Sequence, residues 1–187
     1  MKNYIKELTD LLSRIDITDD KGKIFILDEA IAKVVDLIVA RKEKGNKVIF
    51  VGNGGSASIA SHMATDLLKN AGIPAIAFND SSLITCLGND LGYEYIFAKP
   101  IEILAEKGDI LFAISSSGKS RNILNATAQA KEKGCFLVTL SGFGPDNPLR
   151  KAGNINFYVP SGSYGYVEII HLAICHCVAD AMIESKT

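Results

Sequence analysis

The sequence has no surplus of positive charge, because 20 lysines and arginines face 21 aspartates and glutamates. A chain that grips DNA or RNA by its phosphates needs a basic stripe, so nucleic acid is excluded as a partner held by bulk charge. A CxxC pair is also missing. The four cysteines, Cys86, Cys135, Cys175 and Cys177, lie in apolar stretches. That argues against a disulfide frame or a zinc knuckle and predicts reduced, buried thiols. No apolar run approaches the ~20 residues of a membrane span, and the opening MKNYIKELTDLLSRIDITDD has no apolar signal core. A cytoplasmic protein without a membrane partner is expected. Repeats, low-complexity tracts and proline-rich linkers are absent too, and 187 residues suit one core better than two. The expectation is a single domain over 1–187, with an N-terminal helical pair in 1–45 and an α/β core in 46–187.

What is present is a change of period along the chain. Residues 4–14 and 24–43 place apolar side chains at helical spacing, and Asp19, Asp20 and Gly22 separate the two stretches. From residue 48 onward, short β-branched runs take over: VIFVG (48–52), AIAF (75–78), ILFAIS (110–115), FLVTLS (136–141) and INFYV (155–159). Runs apolar on both faces read as buried parallel strands. Helical stretches at 56–70, 94–105, 121–133 and 164–184 alternate with them, which predicts a parallel sheet with helices on both faces. The last helix is apolar nearly all round and needs cover on more than one side. The glycine- and proline-rich stretch 141–153 reads as a surface connection.

In such sheets ligands bind beyond the C-terminal ends of the strands. Two loops there suit an anion. Gly52-Asn53-Gly54-Gly55-Ser56 leaves the first strand and enters a helix, and its small residues let backbone amides approach a phosphate at a helix start. Ser115-Ser116-Ser117-Gly118-Lys119-Ser120 leaves the third strand and offers hydroxyls, amides and an ammonium at another helix start. Each could be an ordinary turn with a serine N-cap, but together, at matching ends of two parallel strands, they favour a ligand site. There is no Walker P-loop. The first loop also fits the looser dinucleotide pattern GxGxxA, with Asp80 where a ribose-binding acid would sit, although that reading leaves SSSGKS without a task.

With both loops in view, the sequence resembles the sugar isomerase (SIS) domain family, and within it the phosphoheptose isomerases. The likeness is carried by GNGGSASIASHMATDL (52–67), ITCLGNDLGYEYIF (84–97), ISSSGKSRNIL (114–124) and EIIHLAICH (168–176), and spans almost the whole chain. The resemblance implies a flavodoxin-like fold with five parallel strands and two leading helices. It also implies a homotetramer with shared active sites, the leading helices serving oligomerisation. The activity implied is conversion of sedoheptulose 7-phosphate to D-glycero-D-manno-heptose 7-phosphate for surface polysaccharide. It places phosphate on Ser115, Ser117 and Ser120 and the sugar on Asn53, Ser56 and Asp90, with Gly54, Ser116 and Glu168 also binding substrate. Zinc-binding members use a histidine, a glutamate, a glutamine and a histidine at the places held here by His62, Asp66, Glu168 and His176. Asp66 and Glu168 depart from that pattern.

His62 and Asp66 are four residues apart and share a helix face, and Glu168 and His176 lie about 80° apart around an ideal helix. An aspartate reaches roughly 1–1.5 Å less far than a glutamate, a displacement that can cost ~100-fold in rate. An isomerase working through a cis-enediol would use Asp66 for the carbon proton and His176 for the oxygen proton. His171 reads as a core histidine. The alternative is a non-catalytic SIS module that binds a sugar phosphate or a protein.

Overall fold

The computed structural model describes residues 2–184. Helix α1 (Lys2–Leu12) leads to strands β1 (Asp16–Asp19) and β2 (Ile24–Phe25) and helix α2 (Leu27–Lys42). Alternation then sets in: β3 (Val48–Gly52), α3 (Gly55–Asp66), β4 (Ala75–Ala77), α4 (Ser81–Asp90), α5 (Ala98–Leu104), β5 (Ile110–Ser115), α6 (Arg121–Glu132), β6 (Phe136–Ser141), β7 (Ile155–Tyr158) and α7 (Tyr164–Glu184). The sheet order is β2-β1-β7-β6-β5-β3-β4. Its last five strands, β7-β6-β5-β3-β4, run parallel, whereas β1 is antiparallel to both β7 and β2.

The five parallel strands are those expected. The period-two alternation of buried strands explains how one run serves two cores. Val48 and Phe50 pack on one face with Phe112, Val138, α2 and α7, while Ile49 and Val51 pack on the other with Leu111, Leu137 and α6. The antiparallel pair was not anticipated. Asp19 and Gly22, read as helix breakers, form its turn: the Asp19 carboxylate accepts from the amides of Lys21 and Lys23 at 2.9 and 2.8 Å. Gly22 takes φ +81°, which favours glycine. Residues 16–19 thereby join the same sheet as the α/β core. Helix α4 was also not anticipated. Among the described residues of α4, none is fully buried, and only Leu83, Ile84 and Leu87 pack part-buried against the core.

Helix α7 corrects another expectation, because by length and composition it is long enough and apolar enough to cross a membrane. Here it lies across the sheet as a core helix, with Val167, Ile170, Ile174, Val178 and Ala179 buried. Of the cysteines, all free, Cys135 and Cys175 are buried as expected but Cys86 and Cys177 are exposed. Cys86 sits on the exposed face of α4, and Cys177 lines an open groove between α7 and α2.

Candidate active site

Strand β5 delivers Ser115 and Ser116, both buried. The chain then turns sharply, with Gly118 at φ +62° and its amide donating to the Ser115 carbonyl at 3.0 Å. A side chain at Gly118 would strike Asn147. Residues 142–149 are therefore more than a surface connection. Asn147 and Leu149 are buried, the Leu149 amide donates to the Gly118 carbonyl, and the Gly142 amide donates to the Ser116 carbonyl. Asn147 donates to the Ser141 hydroxyl and to the Gly142 and Gly144 carbonyls, so this loop holds the serine turn from behind. Ser120 stands at the N-cap of α6 but makes no capping hydrogen bond among the described residues. Its hydroxyl lies 3.4 Å from that of Ser115. Lys119 is exposed, and its amide donates to the Ser117 hydroxyl at 3.3 Å.

The loop after β3 closes the other side. Gly54 at φ +54° is the N-cap of α3, again without a side-chain cap. Gly52 must be glycine because a Cβ would run into the Ser56 backbone. Asn53 is held by Asn122 of α6 through a reciprocal amide pair of 2.9 and 2.8 Å. The Tyr93 hydroxyl donates to Asn53 Oδ1 at 3.1 Å. Together the two loops, with Tyr164 and Glu168 from α7, enclose a cavity of about 210 Å³. Two helix N-termini without side-chain caps open into it. Unpaired first-turn amides carry the positive end of the helix dipole, so the cavity suits an anion of phosphate size.

Glu168 marks the border of this cavity. Its carboxylate lies against Gly55, where any added Cβ would collide with it. Glu168 and Gly55 also line a neighbouring apolar groove of about 330 Å³ that ends on His62. Beyond it, His62, Asp66 and His176 bring one donor atom each within 4.8 Å of one another. Asp66 Oδ2 is 3.9 Å from His62 Nε2 and 3.7 Å from His176 Nδ1. The shorter aspartate thus still meets both histidines, and Asn70 steadies it through a 2.9 Å bond to Oδ1. Two imidazoles and a carboxylate form a zinc-type donor set. The edge of a tetrahedron of ~2.1 Å bonds is about 3.4 Å, somewhat less than the spacing seen, and the histidine side chains are exposed enough to close it. Glu168 stands apart from this trio. The angle around α7 was read correctly, but eight residues also rise about 12 Å along the axis, which separates Glu168 from His176.

Other expected residues fall as follows. Asp90 ends α4 exposed, accepting from Asn89 and from the Cys86 thiol, and does not line the cavity. Asp80 caps α4 by accepting from the Leu83 amide at 3.0 Å, with the Ser82 hydroxyl at 2.7 Å holding its carboxyl below the usual range. Its carboxylate is therefore engaged in a helix cap, which weakens the dinucleotide reading. His171 is fully buried, as expected, with Nε2 3.1 Å from the Ser141 carbonyl, and burial pushes it down to about 4. The sequence reading missed Asn122, Tyr93 and Tyr164. Asn122 was findable: it shares a four-residue stripe with Ala126 and Ala130, and a polar residue on a buried stripe signals a task.

A flavodoxin-like parallel sheet, with its strands in the order 2-1-3-4-5 and a serine-rich anion pocket at its C-terminal edge, defines a class of phosphate-binding α/β proteins, and the comparisons narrow it. Residues 3–142 match the SIS domain family. A phosphoheptose isomerase of Helicobacter hepaticus is 38% identical over 88% of this chain and 86% of its own length. That of Proteus mirabilis is 36% identical over all of this chain and 96% of its own. The solved phosphoheptose isomerase of Neisseria gonorrhoeae superposes with a TM-score of 0.82 at 26% identity, covering 97% of this chain and 96% of that one. The chain belongs to the SIS domain family, in its phosphoheptose isomerase branch.

Proposed function

We infer that this chain is an aldose–ketose isomerase that converts sedoheptulose 7-phosphate to D-glycero-D-manno-heptose 7-phosphate through a cis-enediol. What supports the reading is an anion pocket and an adjoining groove that share Gly55 and Glu168, the groove reaching His62 of the His–Asp–His trio. The phosphate is bound by the hydroxyls of Ser115, Ser117 and Ser120 and the amides at the start of α3 and α6. Binding so far from the reacting carbons fixes the register of the sugar and lets remote binding energy serve the rate. Asn53, Ser56 and Glu168 hold the middle of the chain. Asp66 moves the proton between C1 and C2, and His176 serves the two oxygens. A zinc ion, when bound, would be held by His62, Asp66 and His176 and would polarise the carbonyl.

A homotetramer in the cytoplasm completes the proposal. Exposed Tyr4, Ile5 and Leu12 on α1, with Ile24 and Ile26 beside β2, are apolar surface suited to burial between copies, and light scattering of the purified chain checks it. Exposed free thiols at Cys86 and Cys177 suit a reducing compartment. Incubation with sedoheptulose 7-phosphate should yield an aldose 7-phosphate. Tight binding of the ketose without any aldose would instead leave a binding module.

A further inference from the structure

Asn122 is only 2% exposed, yet it is neither a helix cap nor part of the cavity wall. Its Oδ1 is identified by the Ile123 amide, which also reaches the Ser120 carbonyl: a backbone N–H can only donate, and it lies 3.0 Å from that atom. The other end of the amide is therefore Nδ2, and it donates to Asn53 Oδ1 at 2.8 Å. Asn53 Nδ2 returns a bond to Asn122 Oδ1 at 2.9 Å, and the Tyr93 hydroxyl fills the second lone pair of Asn53 Oδ1 at 3.1 Å. Tyr93 is itself steadied from α6, where Asn125 donates to the neighbouring Glu94 carbonyl at 3.0 Å.

A primary amide offers two donors and two acceptor sites. With both acceptor sites of Asn53 occupied and one N–H spent, a single N–H remains for the cavity that Asn53 lines. We propose that Asn122, assisted by Tyr93, is a positioning residue that fixes Asn53 as a pure hydrogen-bond donor, so that the site accepts a ligand oxygen with a free lone pair and rejects a donor there. The inference rests on the sugar-phosphate reading above. It adds that the start of α6, which bears the phosphate-binding Ser120, also sets the polarity of the loop after β3, coupling the two halves of the pocket through one amide pair.

The test is calorimetric titration of the full chain with sedoheptulose 7-phosphate, alongside steady-state kinetics. Asn122→Asp keeps the acceptors for Ile123 and Asn53 but sets a carboxylate oxygen against Asn53 Oδ1, so neither orientation of the Asn53 amide makes both bonds and its donor is no longer fixed toward the cavity. Binding should weaken about 10-fold, with KM rising more than kcat falls, and the loss should vanish in an Asn53→Ala background because the two act as one unit. Unchanged affinity in Asn122→Asp, or effects of Asn122→Asp and Asn53→Ala that simply multiply, would overturn the proposal. If Asn122→Asp unfolds the chain, the exposed Tyr93→Phe decides by the same cycle: a 2- to 3-fold loss that disappears in Asn53→Ala supports it, and no loss or a persistent loss overturns it. A wild-type chain that fails to bind the sugar phosphate sinks the functional reading itself; a binding wild type with a fully additive cycle sinks only this inference.

Discussion

The two edges of the parallel sheet treat their polar groups in opposite ways. At the N-terminal edge, the buried Asp109 carboxylate accepts four hydrogen bonds: from Lys47 Nζ at 2.7 Å, the Lys47 amide at 3.0 Å, the Glu106 amide at 2.9 Å and Asn46 Nδ2 at 3.2 Å. Burial disfavours the charged form, but the Lys47 ammonium and these donors outweigh it and hold the carboxyl below its usual range. At the C-terminal edge, two helices begin without side-chain caps, and serine hydroxyls face a cavity. The same strands feed both edges. A saturated edge stabilises the fold, and an edge with donors to spare is one that a ligand completes.

Substitutions can break that contrast, beginning with the closed edge. Lys47→Met strands a buried carboxylate and should cost about 3–5 kcal/mol of stability, read by urea unfolding, while leaving KM nearly untouched. The sign with pH follows from a depressed carboxyl: the contribution of Asp109 is present above pH about 4 and is lost as pH falls through the lowered folded value. In the histidine trio at the far end of α3, Asp66→Asn should lower kcat about 10³-fold with little change in melting temperature. Between the two lies His171, whose folded value of about 4 is depressed from 6.5. Its neutral state is fully favoured above pH 6.5, and on the order of 3 kcal/mol is lost as pH falls from there toward 4. Melting curves of wild type and His171→Gln over that range should converge toward acid. The smallest effect is expected for Ser117→Ala, about 1.5–3 kcal/mol of sugar-phosphate binding, seen as a higher KM with kcat largely kept.

Much of this was legible in the sequence because burial on two faces writes itself as uninterrupted β-branched runs, as in VIFVG and ILFAIS. Both glycine- and serine-rich loops were readable for a related reason, since Gly54 and Gly118 occupy positive-φ positions where other residues are strained. The β1–β2 hairpin was not legible: two residues of β2 carry no period, and Asp19 and Gly22 signal a turn without saying between what. Glu168 is absent from the donor trio because angle alone does not place two side chains together: eight residues also rise about 12 Å along the helix. The support given by Asn147 and Asn122 was hidden because it joins segments distant in sequence, and a lone asparagine announces no partner.

The central claim is that a single molecule spans from the serine turn to the His62–Asp66–His176 trio. A crystal structure with sedoheptulose 7-phosphate tests it directly. The phosphate should lie within about 3 Å of the Ser115, Ser117 and Ser120 hydroxyls, with C1 and C2 beside the Asp66 carboxylate. A phosphate seated on those serines with C1 and C2 pointing away from Asp66 and His176 would contradict the account.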